Sequence, residues 1–254
     1  MNAARAYRRS PRRLALDRLT RMGMGVAHDF NNLLAAIQGN AAVLSRELPP
    51  DSDAAACVEQ IQLCSRRGLE LTHQLLLFTG KAPFSGEPID MSEVVRETIR
   101  DGAARAGAEH EMSLELASGL PRCSGDRSQI RDLLENLVVN AVEALEGREG
   151  SVTIATGAAE MSDTDLARTL LGDDCPAGRY VALSVSDTGR GIPRRLQPYL
   201  FDPFYTTKIR GQGLGLCIAA GVMRAHGGTI RVDSRAHRGT TVTAFFPAGQ
   251  NKSS

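Results

Sequence analysis

Apolar residues recur at alternating steps of three and four through Leu19, Met22, Val26, Phe30, Leu33, Ile37 and Leu44, which is the seam of a long amphipathic helix. The spacing predicts a helix over residues 14–48, stopped by Pro49-Pro50, and a second over residues 53–79 after the capping run Asp51-Ser52-Asp53. The second helix carries its own seam at Val58, Ile61, Cys64, Gly68, Leu71, Leu75 and Phe78. Two long helices joined by a tight turn make an antiparallel hairpin, and a hairpin alone leaves each stripe with one partner. The expected remedy is a symmetric pair, a four-helix bundle across a homodimer.

After residue 80 the pattern changes character. Residues 81–89, with Pro83, Gly86 and Pro88, are turn-rich and non-periodic, the natural hinge. A helix is predicted over residues 91–104, then alternation at Met112, Leu114 and Leu116, then a helix over residues 126–146 seamed by Ile130, Leu133, Leu134, Leu137, Val138 and Ala141. Strand signals follow at residues 152–154 and 181–185 with a polar, looped insertion between them (157–178). A helical turn (193–200), a helix (214–225) and strands at 230–232 and 242–246 complete the order. The interleaving lacks regular βαβ spacing, so the second unit reads as α+β, with helices layered on one face of a mixed sheet. The division is a basic tail (1–13), an all-α hairpin (14–80), a hinge (81–89), the α+β domain (90–248) and a short tail (249–254).

Composition narrows the class. A formal net charge of +1 gives no global basic field, so nucleic acid is not implied. Cys57, Cys64, Cys123, Cys175 and Cys217 show neither CxxC spacing nor a paired framework and read as reduced interior thiols of a cytoplasmic protein. No run of about 18 apolar residues crosses a membrane. His73 lies in the second helix without a neighbouring acid beside it in the sequence and reads as structural.

Chemistry concentrates at five places. His28 lies roughly 200° around the first helix from both Val26 and Phe30, so it points away from the seam and can react. Neutral imidazole can attack phosphorus through one ring nitrogen if a carboxylate holds or removes the proton on the other, and Asp29 is the candidate, although adjacent helical residues do not face each other squarely. Asn32, one turn on, shares the histidine's face and could orient a water. In the later helix Asn136 and Asn140 stand one turn apart, and the carbonyl oxygen of Asn140 suits a hard cation that also keeps water and phosphate oxygens. Asp187-Thr188-Gly189-Arg190-Gly191 leaves a strand with a carboxylate able to accept from an adenine amino group and glycines that let the backbone approach the base. Gly211, Gly213 and Gly215 open a helix whose free amides can receive phosphates, and Lys208 precedes them. Gly239-Thr240-Thr241 is a hairpin turn or a phosphate or base contact, with Thr241 the candidate.

In order and combination these motifs strongly resemble a sensor histidine kinase core over residues 14–247: dimerisation and phosphoacceptor helices, then an ATP-binding domain of the gyrase, chaperone and histidine kinase superfamily. The resemblance implies that His28 lies in the phosphoacceptor box, Asn136 and Asn140 in the asparagine box, and Asp187, Gly189 and Gly191 in the first glycine box. Phe201, Phe204 and Lys208 match the phenylalanine box and the start of the ATP lid, and Gly211, Gly213 and Gly215 the second glycine box. It further implies ATP and Mg²⁺, the latter on Asn140, with adenine read by Asp187. His28-Asp29-Phe30-Asn31-Asn32-Leu33-Leu34 looks like the acceptor box of soluble or hybrid kinases of the cell-cycle phosphorelay type. Many family members have His-Glu and a proline five residues after the histidine, where this chain has Asp29 and Leu33. The implied partners are a second copy, a response-regulator receiver domain and a separate sensor or input partner. The rival readings are a conformational ATPase, which resembles this domain but has a glutamate base where Asn136 stands, and a non-catalytic scaffold.

Overall fold

The computed structural model describes residues 11–79, 82–102, 111–147, 149–203, 205–206 and 213–249, with side chains of the first helix from Asp29 onward. Helices α1 (Pro11–Glu47) and α2 (Asp53–Thr79) form the hairpin. Its turn is fastened by Ser52, whose N–H and hydroxyl donate to the Pro49 carbonyl and whose Oγ accepts from the Ala55 N–H. Within one chain the helices meet on small and polar positions. Leu34 fits over Gly68, Ala41, Val58 and Ser65 are buried, and the Thr72 hydroxyl donates to Asn31 Oδ1.

The stripe read from the sequence is only partly used in that contact. Phe30, Leu33, Ile37 and Leu44 remain between 46 and 63% exposed, and Ile61 and Leu71 of α2 are exposed with them. Two helices can cover only one side of each other, so the rest of a broad stripe faces outward. Cys57 and Cys64, read as interior, are exposed on this hairpin.

The second unit is built on a five-stranded sheet in the order β2-β4-β5-β7-β6. Its strands are β2 (Glu111–Leu116), β4 (Ser151–Met161), β5 (Gly178–Asp187), β6 (Thr229–Ser234) and β7 (Thr240–Pro247); β2 runs parallel to β4 and the other neighbours are antiparallel. Helices α3 (Met91–Gly102), α4 (Arg127–Leu145) and α6 (Gly215–Ala225) bury their apolar faces against the alternating Val181, Leu183 and Val185 of β5 and Ala244 and Phe246 of β7. This is the expected α+β arrangement. Burial pushes the thiols of Cys123 and Cys217 in this core up to about 11 and about 12, so both stay protonated and inert.

Two expectations are corrected. The insertion is not a polar loop: β4 continues to Met161, β5 begins at Gly178, and a short helix α5 (Asp163–Leu166), closed by a Ser162–Asp165 capping box, joins them. Met161, Leu166, Tyr180 and Phe245 form a satellite core there, on too few apolar positions to show as periodicity. The turn-rich hinge is also tied down. Strands β1 (Glu87–Ile89) and β3 (Cys123–Gly125) pair antiparallel, the Ser85 N–H donates to Asp126, and the Gln129 amide donates to the Pro83 carbonyl. Residues 82–89 therefore belong to the second unit. So does the last turn of α2, whose Leu77 and Phe78 enter its core where Gly221 of α6 lets the Leu77 carbonyl approach. Gly80 and Lys81 lie outside the described residues.

Candidate functional site

Where the strands end beneath α4 and α6, a cavity of about 650 Å³ opens, a size suited to a nucleotide. Its floor is apolar, with Leu137, Ile192, Leu196, Leu200, Ile218 and Val242. Polar groups line it too: Asn136, Asn140, Asp187 and Thr240, together with residues 213–216 at the start of α6.

Each polar group is placed by the local period. Asp187 continues the odd-numbered face of β5 after Val181, Leu183 and Val185, so strand alternation carries its carboxylate to the helix-covered side as the core opens. It is 8% exposed, and its Oδ1 accepts the Gly189 N–H at 2.8 Å. Gly191 has φ of +62°, and a Cβ there would lie 1.9 Å from the Arg235 carbonyl oxygen, so the chain must be glycine to turn beneath the β6–β7 loop. On α4, Asn136 and Asn140 stand one turn apart along the edge of the core face, and both line the cavity together with Leu137. The Asn136 amide donates back to the Asp132 carbonyl at 2.9 Å. Helix α6 begins at Gly215 with no side-chain cap on its first amides. A Cβ on Gly215 would sit 2.9 Å from Asn140 Nδ2 and 3.6 Å from Asn136 Oδ1, so the helix start and the two asparagines form one cradle.

The scaffold beneath is held by a buried polar hinge-pin. Asp126 caps α4, accepting from the backbone of Ser128 and Gln129, while its own N–H donates to His226 Nε2 at 3.0 Å. His226 Nδ1 lies 2.8 Å from the Val222 carbonyl, which fixes the neutral tautomer with the proton on Nδ1. Burial pushes the His226 imidazole down, against smaller opposing contributions from that carbonyl and from Asp126. For Asp126 burial acts upward, but the Ser128 hydroxyl and the N–H groups of Ser85 and Gln129 together outweigh it and hold the carboxyl at about 2.

Among the residues expected from sequence, Asn136, Asn140, Asp187, Gly191, Gly213 and Gly215 line this cavity, and Gly189 is bonded to Asp187 beside it. Thr241 does not. The even-numbered face of β7, with Val242, Ala244 and Phe246, points to the core, so Thr240 enters the cavity and Thr241 turns to the opposite face, where its hydroxyl meets Ser186 at 2.8 Å beside a smaller surface cavity. Period-two alternation was legible in the sequence and favoured Thr240. Phe204, Lys208 and Gly211 lie outside the described residues, and Phe201 is buried. His28 falls on the described backbone of α1 with its side chain outside the described set; Asp29 and Asn32 are exposed beside it. Glu135 is exposed and does not line the cavity. His73 does have an acidic partner, across the domain junction: its Nε2 lies 2.9 Å from Asp132 Oδ2, and that hydrogen bond raises its pKa against the effect of burial. Gln74, next to it, reaches the cavity wall, which no pattern within the α+β domain could have announced.

Residues 125–250 match the family described as histidine kinase-, DNA gyrase B-, and HSP90-like ATPase, and residues 18–80 match the His Kinase A (phospho-acceptor) domain. The two matches take in most of the chain, which belongs to the sensor histidine kinase family. It is 33% identical over 226 residues to the sensor kinase CckA of Brucella abortus (strain 2308), covering 88% of this chain and 23% of that protein. Full-length ShkA in complex with AMPPNP has the same fold, with a TM-score of 0.66 at 24% identity over 89% of this chain and 45% of ShkA. Histidine kinase ThkA in complex with the response regulator protein TrrA gives 0.55 at 24% identity, over 95% of this chain and 65% of that one. The chain spans between 23 and 61% of the length of the curated relatives it matches. No described helix is long and apolar enough to cross a membrane.

Proposed function

We infer that this chain is the catalytic core of an ATP-dependent protein histidine kinase that phosphorylates its own His28 and passes the phosphoryl group to an aspartate of a response-regulator receiver. The observation that carries this reading is one cavity, bounded by Asp187, Asn140 and the start of α6, joined in one chain to a helical hairpin bearing His28-Asp29. Asp187 and Thr240 read the base over the apolar floor, and the α6 amides receive phosphate oxygens. The donor set fits Mg²⁺. Asn140 offers a single hard amide oxygen, and no group of three His, Cys, Asp or Glu among the described residues forms a metal cage, which suits a cation held largely by the nucleotide's own phosphates. Such a cation neutralises charge on the transferring group. Lys208 and Gly211 serve the same phosphates.

His28 attacks the γ-phosphorus through one ring nitrogen. The new N–P bond forms as the bond to the bridging oxygen of the departing ADP breaks, while Asp29 holds or takes the proton on the other ring nitrogen. Asn32 on the same face orients a water for the reverse activity, receiver dephosphorylation. The exposed stripe of Phe30, Leu33, Ile37 and Leu44 is covered by a second copy, and the hairpin near His28 is the receiver's docking surface. A separate input partner supplies the signal. The reaction belongs in the cytoplasm, where ATP and receivers are.

Incubating the protein with γ-labelled ATP and Mg²⁺, then adding a receiver domain, tests the reading. Label on the chain that moves to the receiver supports it. Steady hydrolysis with the chain unlabelled would support a conformational ATPase, for which Glu135, exposed and off the cavity, is poorly placed.

A further inference from the structure

The hairpin intrudes on the nucleotide cavity. Gln74 of α2 lines it alongside Asn136, Leu214 and Gly215, although it belongs to the helix that follows the phosphoacceptor. Its side-chain oxygen Oε1 is the one buried side-chain polar atom among the described residues with no hydrogen-bond partner. A buried, unmatched carbonyl is costly and calls for a donor. The Asn136 amide, which lines the same cavity, donates to the Asp132 carbonyl and makes no hydrogen bond to Gln74 Oε1. The position of Gln74 is set on both sides: His73 bonds Asp132 on α4, and Leu77 and Phe78 are buried against α6.

We propose that Gln74 is a positioning residue of the nucleotide site, contributed by the phosphoacceptor hairpin, whose Oε1 accepts a hydrogen bond from an O–H donor carried in with Mg²⁺·nucleotide. That donor is either a water on the cation or a hydroxyl of the nucleotide. Nucleotide binding and docking of the hairpin then reinforce one another, since the acceptor is satisfied only when both are in place. The idea rests on the nucleotide-site reading of the cavity.

The test is calorimetric binding of AMPPNP to the full chain, wild type against Gln74→Leu and Gln74→Met, with Mg²⁺ and in EDTA, together with the melting temperature of each nucleotide-free protein. Both substitutions keep the volume; Gln74→Leu removes the acceptor, and Gln74→Met leaves only a weak thioether one. The expected result is Mg²⁺·AMPPNP binding weakened about tenfold, the size of one lost hydrogen bond, with nucleotide-free melting unchanged or raised because an orphan group has gone. A loss confined to the Mg²⁺ arm assigns the donor to cation-bound water, and a loss in both arms assigns it to the nucleotide. Unchanged affinity in both variants overturns the proposal, as does a loss of affinity matched by a lower melting temperature, which marks Gln74 as merely structural. Wild type that binds no nucleotide would instead overturn the reading of the cavity itself.

Discussion

The substitution Gly215→Ala separates binding from stability at the centre of the site. Gly215 is the first residue of α6 and its φ is not in the left-handed region, so alanine is compatible with the backbone and improves helix propensity, by up to about 1 kcal/mol in a helix interior and less at the first position. The added Cβ meets Asn140 Nδ2 at 2.9 Å, roughly half an ångström inside ordinary contact. That atom is the end of a side chain able to rotate, so the clash is relieved by moving the Asn140 amide rather than by shifting α6. Moving it displaces the carbonyl oxygen offered to the cation, a contact taken as comparable to a hydrogen bond to a charged group, about 1.5–3 kcal/mol, or a factor of roughly 10 to 150 in Kd. Calorimetric titration with Mg²⁺·AMPPNP should therefore show binding weakened by at least about tenfold, while thermal unfolding moves by no more than a few degrees. Wild-type affinity in a folded Gly215→Ala protein would refute the claim that Asn140 and the start of α6 form one cradle.

Asp126→Ala removes the cap of α4 and should lower the stability of the α+β domain by about 1–2 kcal/mol in chemical denaturation. In the wild type the Asp126 carboxyl titrates at about 2 when folded, below its ordinary 3.8, so its contribution is complete above pH 3.8 and is lost as pH falls from there through about 2. His226 adds a decline of the same sign starting below pH 6.5, because the unfolded chain takes up a proton that the buried imidazole resists; urea titrations from pH 7 to 2 should show both phases, and Asp126→Ala should lack the acid one. Replacing Phe30 and Ile37 together by Asp puts two charges into the exposed stripe, and sedimentation should report a dimer for the wild type and a monomer for the variant, with nucleotide affinity retained; a dimer that survives would locate its interface elsewhere.

The long helices and the motif-bearing elements were legible because each announces itself locally. Three-four spacing marked α1, α2 and α4, and a carboxylate followed by glycines marked the end of β5. What was not legible depends on contacts between distant segments. The pairing of β1 with β3 and the hold of Asp126 on Ser85 turn an apparent hinge into part of a domain, and neither leaves a periodic trace. The His73–Asp132 contact joins residues 59 apart in the chain, so a histidine with no acid beside it in the sequence gained a partner from another helix. Thr241 was a different kind of miss, since the alternation of Val242, Ala244 and Phe246 already placed Thr240 on the core side of β7.

The central claim is that His28 receives the γ-phosphate. The direct measurement is incubation of wild type and His28→Ala with γ-labelled ATP and Mg²⁺, followed by acid and base treatment of the labelled chain. The account predicts an acid-labile, base-stable label on the wild type and none on His28→Ala, which should still bind nucleotide. Label that persists in His28→Ala, or a wild type that binds nucleotide and acquires no label, would contradict it.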